Sequence, residues 1–242
     1  MGLQDKRVLV IGGGSGIGFA VAEAALREGA RVTVASSSAA RVEAAVARLG
    51  QGADALRIDV ADEGSVAAAF DAAGPLDHIV FTAGDWGGPR RTSLAEMDLA
   101  EAQQLFAIRF WGALRVAKRA AGVLPKDGSL TLTDGTIAHR PRKGSVVSTA
   151  MAGAVEHMTR ALAVELAPIR VNCVCPAMIR TEVWNSIPEA DREARFAEMT
   201  RRQLIPRIGE PAETAEAYLY LMKGGYTTGQ VLMVEGGHML GA

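Results

Sequence analysis

The sequence predicts the α/β class: a doubly wound parallel sheet of about seven strands with helices on both faces. Three observations predict it. Apolar runs of strand length alternate strictly with longer, alanine-rich segments of helical period, and strands that are apolar almost throughout belong in parallel sheets covered on both sides. A glycine-rich turn, Gly12-Gly13-Gly14-Ser15-Gly16-Ile17-Gly18, separates the first such run from the first helical segment. Hydrophobic residues make up 49% of the 242 positions. That is enough for a substantial core, yet no unbroken apolar run reaches the roughly 20 residues of a membrane span.

Strands are predicted at 7–11, 31–35, 55–59, 77–82, 129–133, 170–174 and 231–234, and helices near 17–28, 39–49, 62–71, 94–122, 148–167 and 211–222. The first strand, Arg7-Val-Leu-Val-Ile11, feeds the glycine turn and then the helix Phe19-Ala-Val-Ala-Glu-Ala-Ala-Leu26. Gly29 follows where a left-handed residue ends a helix. Ser93-Leu-Ala-Glu96 has the spacing of a capping box and marks the start of the long fourth helix. Pro168 stops the fifth helix just before the sixth strand. The longest irregular stretches, 134–147 and 175–210, follow strand C-terminal ends, where open α/β sheets bind ligands, and the second is expected to hold a short mobile helix around 188–203. With no linker, low-complexity tract or internal repeat, residues 1–242 form one predicted domain.

A formal net charge of −1 gives no reason to expect nucleic acid or an anionic membrane as partner. The N-terminal Met-Gly-Leu-Gln-Asp-Lys-Arg lacks the apolar stretch of a secretory signal, so a cytoplasmic location is expected. Cys173 and Cys175 lie two apart on a predicted strand, side chains on one face, where a disulfide would be strained. Without histidine or carboxylate companions they make a poor metal site and are expected to be buried and reduced. His78, His157 and His238 show no ligand spacing either, so no metal is expected.

The glycine turn is a site for a phosphate-bearing ligand. Glycines let the backbone approach a pyrophosphate, and the free N–H groups and positive dipole end of the next helix favour the anion. The pattern is Gly-x-x-x-Gly-x-Gly. In order with later motifs it resembles the short-chain dehydrogenase/reductase family. Phe81-Thr-Ala-Gly84 is similar to the family's Asn-Asn-Ala-Gly at the end of the fourth strand, and Asp59-Val60 to the pair whose acid meets the adenine amine. Arg170-Val-Asn-Cys-Val-Cys-Pro-Ala177 resembles the sixth strand with its Pro-Gly, alanine replacing glycine. Pro206-Arg-Ile-Gly-Glu-Pro211 and Thr228-Gly-Gln-Val-Leu-Met-Val-Glu-Gly-Gly237 resemble the C-terminal signatures. The resemblance implies a Rossmann fold holding a nicotinamide dinucleotide. Its implied contacts are Gly12, Ser15, Gly16, Ile17 and Gly18 in the turn, Asp59 and Val60 at the adenine, and Ala83 and Gly84 beyond the fourth strand. Pro176, Ile179 and Thr181 would meet the nicotinamide and phosphates. It also implies a homo-oligomer, a dimer or tetramer, to which small residues such as Ala150, Ala152, Gly153 and Ala154 allow close approach.

After the second strand, NAD users carry a carboxylate that bonds both ribose hydroxyls and repels a 2′-phosphate. Here the residues are Ser36, Ser37 and Ser38, with Arg41 one turn on. Hydroxyls, backbone N–H groups and a guanidinium suit a phosphate, so NADP(H) is favoured over NAD(H). On the other reading the serines form only a turn and helix cap, with Arg41 solvated.

Family enzymes transfer hydride between nicotinamide and a carbonyl or alcohol, with a tyrosine as acid/base, a lysine four residues on, a serine and an asparagine. Aligning Ala154-Val-Glu-His-Met-Thr-Arg-Ala-Leu-Ala-Val-Glu-Leu-Ala167 without a gap puts Ser148 at the tyrosine position and Ala152 at the lysine position. Gly135 falls at the serine position and Arg109 at the asparagine position. All four are replaced. A serine hydroxyl is too weak and too short to stand in for the activated phenol. Asp134 and Arg109 are the substitute candidates, either as an ion pair within about 4 Å plugging the vacated site or as proton donor and oxyanion clamp. The loop His139-Arg140-Pro-Arg142-Lys143 is either a solvated surface or a site for an anion, with His139 able to move protons near neutral pH. Trp86, Trp111 and Trp184 are candidates to line the cleft. Three functions stay open: an oxidoreductase acting on a small carbonyl or alcohol through a rearranged site, a silent NADP(H)-binding sensor or partner protein, and a lyase or isomerase keeping the dinucleotide as scaffold.

Overall fold

In the computed structural model, which describes residues 2–84 and 93–241, seven strands form one sheet. They are β1 (Arg7–Ile11), β2 (Arg31–Ser36), β3 (Ala53–Arg57), β4 (His78–Phe81), β5 (Ser129–Thr133), β6 (Arg170–Pro176) and β7 (Val231–Val234). Every neighbouring pair is parallel and the order is β3-β2-β1-β4-β5-β6-β7. The order reverses between β1 and β4, so the chain leaves these two strands in opposite directions and opens a crevice at their C-terminal ends. The glycine turn follows β1 into that crevice.

Side chains alternate across each strand, and both faces are apolar, which produces two cores. One lies under α1 (Gly16–Arg27), α2 (Ala39–Leu49) and α8 (Pro211–Lys223), with Val8, Val10, Val32 and Val34 beneath them. The other lies under α3 (Glu63–Ala73), α5 (Ala113–Val123) and α6 (Val146–Glu165), and contains Leu9, Ile11, Leu130, Leu132 and Cys173. Gly29 closes α1 at φ +84°, as its position demands. A helix, α7 (Glu189–Thr200), does form in the second irregular stretch. No helix among the described residues is long and apolar enough to cross a membrane.

Two expectations need correction. The third strand, expected at 55–59, lies at Ala53–Arg57. It is an edge strand, so its register follows its one neighbour, Val32 opposite Ala53 through Ser36 opposite Arg57, and not its own apolar run. The long helix expected at 94–122 is broken. Ser93 donates to the Glu96 carboxylate, but this pair closes only a 3₁₀ turn, Leu94–Glu96. The helix proper, α4 (Leu99–Phe106), starts at Asp98, whose carboxylate accepts from Ala100 N at 2.7 Å and Glu101 N at 3.3 Å. Between α4 and α5 the ladder widens to a π segment, Ala107–Gly112, which buries Arg109 and Gly112.

At the far end of β4, buried His78 bonds through Nδ1 to Ser129 Oγ at 2.9 Å. Burial, then the charge of Arg170, pushes its pKa down to about 4. The unfolded chain takes up a proton near pH 6.5 that the folded chain refuses until about 4. The contribution of His78 to stability therefore falls as the pH drops through this window, by an amount on the order of 3 kcal/mol. His78→Asn should gain melting temperature relative to the parent as the pH drops from 6.5 to 4; a constant difference between the two curves would contradict the assignment.

Candidate functional site

The glycine turn is shaped by close approach. A Cβ on Gly18 would stand 2.4 Å from the Gly12 carbonyl oxygen and 2.5 Å from Thr82 Oγ1, so only glycine lets α1 pack against the ends of β1 and β4. Gly12, at φ +92°, has Ala83 N 2.5 Å from its would-be Cβ. Ser15 precedes α1 in extended conformation, its side chain makes no cap hydrogen bond, and no acid lies in the first turn. The N–H groups of Ile17 and Gly18 therefore open the helix without a capping side chain, as a pyrophosphate requires. Thr181, 165 positions after Gly16, closes over the turn, with its methyl carbon 3.1 Å from where a Gly16 Cβ would stand. It opens the short helix Glu182–Ser186, and Glu182 Oε2 comes within 3.4 Å of the same point. Thr181 is tethered there because β6 ends at Pro176 and Ile179 bridges to Gly209.

At the expected ribose site, Ser38 N-caps α2 by accepting from Arg41 N at 3.4 Å, and Ser36 Oγ accepts from Ser38 N. Arg41 packs beside the glycine turn, its Cβ 3.3 Å from a would-be Gly14 Cβ. Sequence reasoning missed a second cation. Arg57, at the end of β3, donates from Nε to the Ser37 carbonyl at 3.4 Å. Two exposed arginines thus flank the three serines. On the expected adenine side the Asp59 carboxylate accepts from Ala61 N, and Val60 is held against Gly112 and by Arg115, which donates to its carbonyl.

Three of the four positions that the resemblance marks as catalytic lie on or after β5 and on α6. Gly135 begins a 3₁₀ turn after β5, Ser148 donates its hydroxyl proton to the Ser145 carbonyl, and Ala152 is fully buried on α6. Tyr218 is no substitute: it lies behind the sheet, bonded to Thr133, and burial pushes its phenol pKa up. Arg109 is buried and lies flat along the backbone at the end of β4. A Cβ on Gly84 would stand 2.3 Å from its Nε, and its Nη1 donates to the Thr133 carbonyl at 3.3 Å. The guanidinium thus bridges the ends of β4 and β5, beside Ala83 and Gly84.

The expected ion pair between Arg109 and Asp134 does not form. Alternation along β5 explains this. Asp134 continues the face of Leu130 and Leu132, toward α6, where Glu156 lies. Both Asp134 oxygens are buried with no hydrogen-bond partner among the described residues. One side-chain donor atom each from Asp134, His139, Glu156 and Cys175 lie within 4.8 Å of one another. The reading that the cysteines lack carboxylate and histidine companions is therefore corrected: the fold supplies them from distant segments. The expectation of buried, unpaired cysteines holds.

In the basic loop, His139 Nε2 bonds Glu156 Oε1 and Arg140 donates to the His238 carbonyl. Arg140 and Arg142 line a cavity of about 300 Å³ with Arg201, Arg202 and Glu198. Trp184 packs edge-on to Phe196 and donates to the Ile179 carbonyl, whereas Trp111 packs on Phe110 with half its surface exposed. Trp86 lies outside the described residues.

Comparison with known proteins fits this geometry. A family model described as enoyl-(acyl carrier protein) reductase matches residues 12–239. The short-chain dehydrogenase/reductase ATR9 of Stachybotrys chlorohalonatus is 38% identical, over 98% of both chains. Among solved structures, a small-chain dehydrogenase in complex with NADPH superposes with a TM-score of 0.84 at 33% identity, covering 98% of this chain and 100% of its own. The MalC reductase/Diels-Alderase of Malbranchea aurantiaca superposes at 0.91 and 33% identity, covering 98% of each chain.

Proposed function

This chain belongs to the short-chain dehydrogenase/reductase family of oxidoreductases, and from that premise we propose that it is an NADP(H)-dependent oxidoreductase of a small carbonyl or alcohol, working through a non-standard site in the cytoplasm. One observation carries the reading. Arg109 is the buried cation at the crevice, bridging the ends of β4 and β5 beside Gly84, where a family enzyme has only an asparagine. Bound NADP(H) would supply the hydride there. Arg109 would hold and polarise the substrate oxygen, and neutral Asp134 would give that oxygen its proton. The uncapped start of α1 and Thr181 would hold the pyrophosphate. Ser36, Ser37, Ser38, Arg41 and Arg57 would hold a 2′-phosphate, in line with the NADPH-bound neighbour.

Arg109→Ala and Asp134→Ala should each lower the rate with an accepted carbonyl about 10²-fold or more, followed at the nicotinamide absorbance. Turnover unchanged in both would remove them from the chemistry. Asp134, with no exposed surface, also favours a second reading as a silent binder. NADPH binding by fluorescence with no turnover across a carbonyl and alcohol panel would select that reading.

The double variant Arg41→Ala/Arg57→Ala should weaken NADPH about 10–30-fold and NADH less than about threefold, because each exposed guanidinium adds only a charge-assisted contact. Equal losses for both dinucleotides would place the arginines away from the 2′-phosphate. By the same logic Glu182→Gln, which removes a negative charge over Gly16, should tighten both dinucleotides severalfold. A dimer or tetramer is proposed, with the open surface at Gly153 and the exposed Leu99 and Val164 available for packing; light scattering of the purified protein tests it.

A further inference from the structure

Two carboxylates side by side in a protein interior need a proton or a cation between them. Asp134 and Glu156 are such a pair, 0% and 3% exposed. Their origin lies in the stripe of α6 that faces the crevice. Ser148, Ala152 and Glu156 follow one another at intervals of four, so they share a face. The two outer positions carry small side chains, and the first acidic group along the stripe is Glu156, one turn deeper than Ala152.

The charges around the pair come from every packed element. From β6, Cys173 and Cys175 approach Asp134, but burial pushes both thiol pKa values up, so both are neutral. From α8, Tyr218 is neutral for the same reason. From the π segment, Arg109 turns its Nη1 to the Thr133 carbonyl. From α6, Arg160 Nη2 stands 3.8 Å from Glu156 Oε2, and from the loop after β5, His139 bonds the other Glu156 oxygen. Arg160 and His139 therefore converge on Glu156 and not on Asp134, whose oxygens receive no donor from a positively charged group. His139 is one-third exposed and is the cluster's contact with solvent. Its Nε2 bonds Glu156.

We propose that Asp134 and Glu156 share a single proton, resident on Asp134, and that His139 passes protons from solvent through Glu156 to it. This rests on the reading of Asp134 as proton donor. Burial first, then Glu156, raises the Asp134 pKa to about 8, in keeping with a carboxyl that stays neutral at pH 7. The cycle balances. As hydride reaches the carbonyl carbon, the substrate oxygen would take the Asp134 proton with the former π electron pair. Glu156 would relay a replacement proton from His139, and solvent would return one to His139.

Infrared spectroscopy of the protein without substrate tests this. One protonated-carboxyl band is expected at pH 7, absent from Asp134→Asn. In Glu156→Gln it should titrate about one pH unit lower or more, because a like charge has gone. In His139→Gln the band should remain but exchange into heavy water at least about tenfold more slowly, since its solvent contact is lost. No such band in the parent, or a band unchanged in Asp134→Asn, overturns the shared proton. Unchanged exchange in His139→Gln overturns the route. A stoichiometric divalent metal in the purified protein, whose chelation alters the band, replaces the proton with a cation. If Asp134→Asn fails to fold, Glu156→Gln still decides the matter. The donor reading fails separately, through normal turnover in Asp134→Asn, whereas the shared proton is read without any turnover.

Discussion

Gly18→Ala should weaken NADPH binding about 100-fold and lower the melting temperature by several degrees. The added carbon would stand 2.4 Å from the Gly12 oxygen and 2.5 Å from Thr82 Oγ1. The first of these is rigid backbone, and Thr82 Oγ1 is itself held by the Ile11 carbonyl at 3.2 Å. Neither can yield, so α1 must move outward, and overpacking of this kind costs about 1–3 kcal/mol. The same shift displaces the N–H groups of Ile17 and Gly18 from a bound pyrophosphate. Those contacts depend on placement to within a few tenths of an ångström, so most of the anion's stabilisation is lost with them. The control is Gly122→Ala in α5, where nothing lies within 4 Å of the new carbon. It should leave binding unchanged and raise stability by about 0.5–1 kcal/mol through helix propensity. Fluorescence titration and thermal melts of both variants check the pair of outcomes. Binding retained in Gly18→Ala would mean that the turn does not carry the phosphates.

The fold was legible because a parallel sheet is buried on both faces, so β1 and β4 carry continuous apolar runs after one polar residue, and β5 and β6 carry apolar residues interrupted only by single polar ones. β3 was misplaced because an edge strand is half exposed and its neighbour sets its register. The π segment, which buries Arg109 and Gly112, left no mark in the helical period of the sequence. At the site, residues close in the chain were found and residues distant in the chain were not. Arg57 lies 20 positions from Ser37. Glu156 resembled any acid on an amphipathic helix, which is normally solvated. Two signals for it were present. Strand alternation puts Asp134 on the Leu130 and Leu132 face, toward α6, and spacing of four from Ser148 and Ala152 puts Glu156 on the α6 face directed at it. Used together, these would have excluded the Arg109–Asp134 pair.

The sign of the stability change in Asp134→Asn separates the two arrangements. If Asp134 were ionised and paired with a guanidinium, its folded pKa would lie below 3.8, the variant would leave a buried cation unmatched, and about 3–5 kcal/mol would be lost at neutral pH. The structure supports the opposite. With a folded pKa of about 8, the native chain holds a proton between pH 4 and 8 that the unfolded chain releases. The group therefore costs nothing below its unfolded pKa of 3.8, costs more as the pH rises, and reaches its full penalty above 8. Asparagine keeps the shape, removes the titration, and offers an amide N–H to the Glu156 carboxylate, which retains His139 and Arg160 as partners. Asp134→Asn should thus be more stable than the parent by about 2–3 kcal/mol at pH 8, or roughly 5–10 °C in melting temperature, with the gap closing toward pH 4. A gain in stability on removing an acid, tied to loss of turnover, is what a group strained for function predicts. Thermal melts of the parent and variant from pH 4 to 8.5 decide it, and a variant less stable at pH 8 would restore the ion pair.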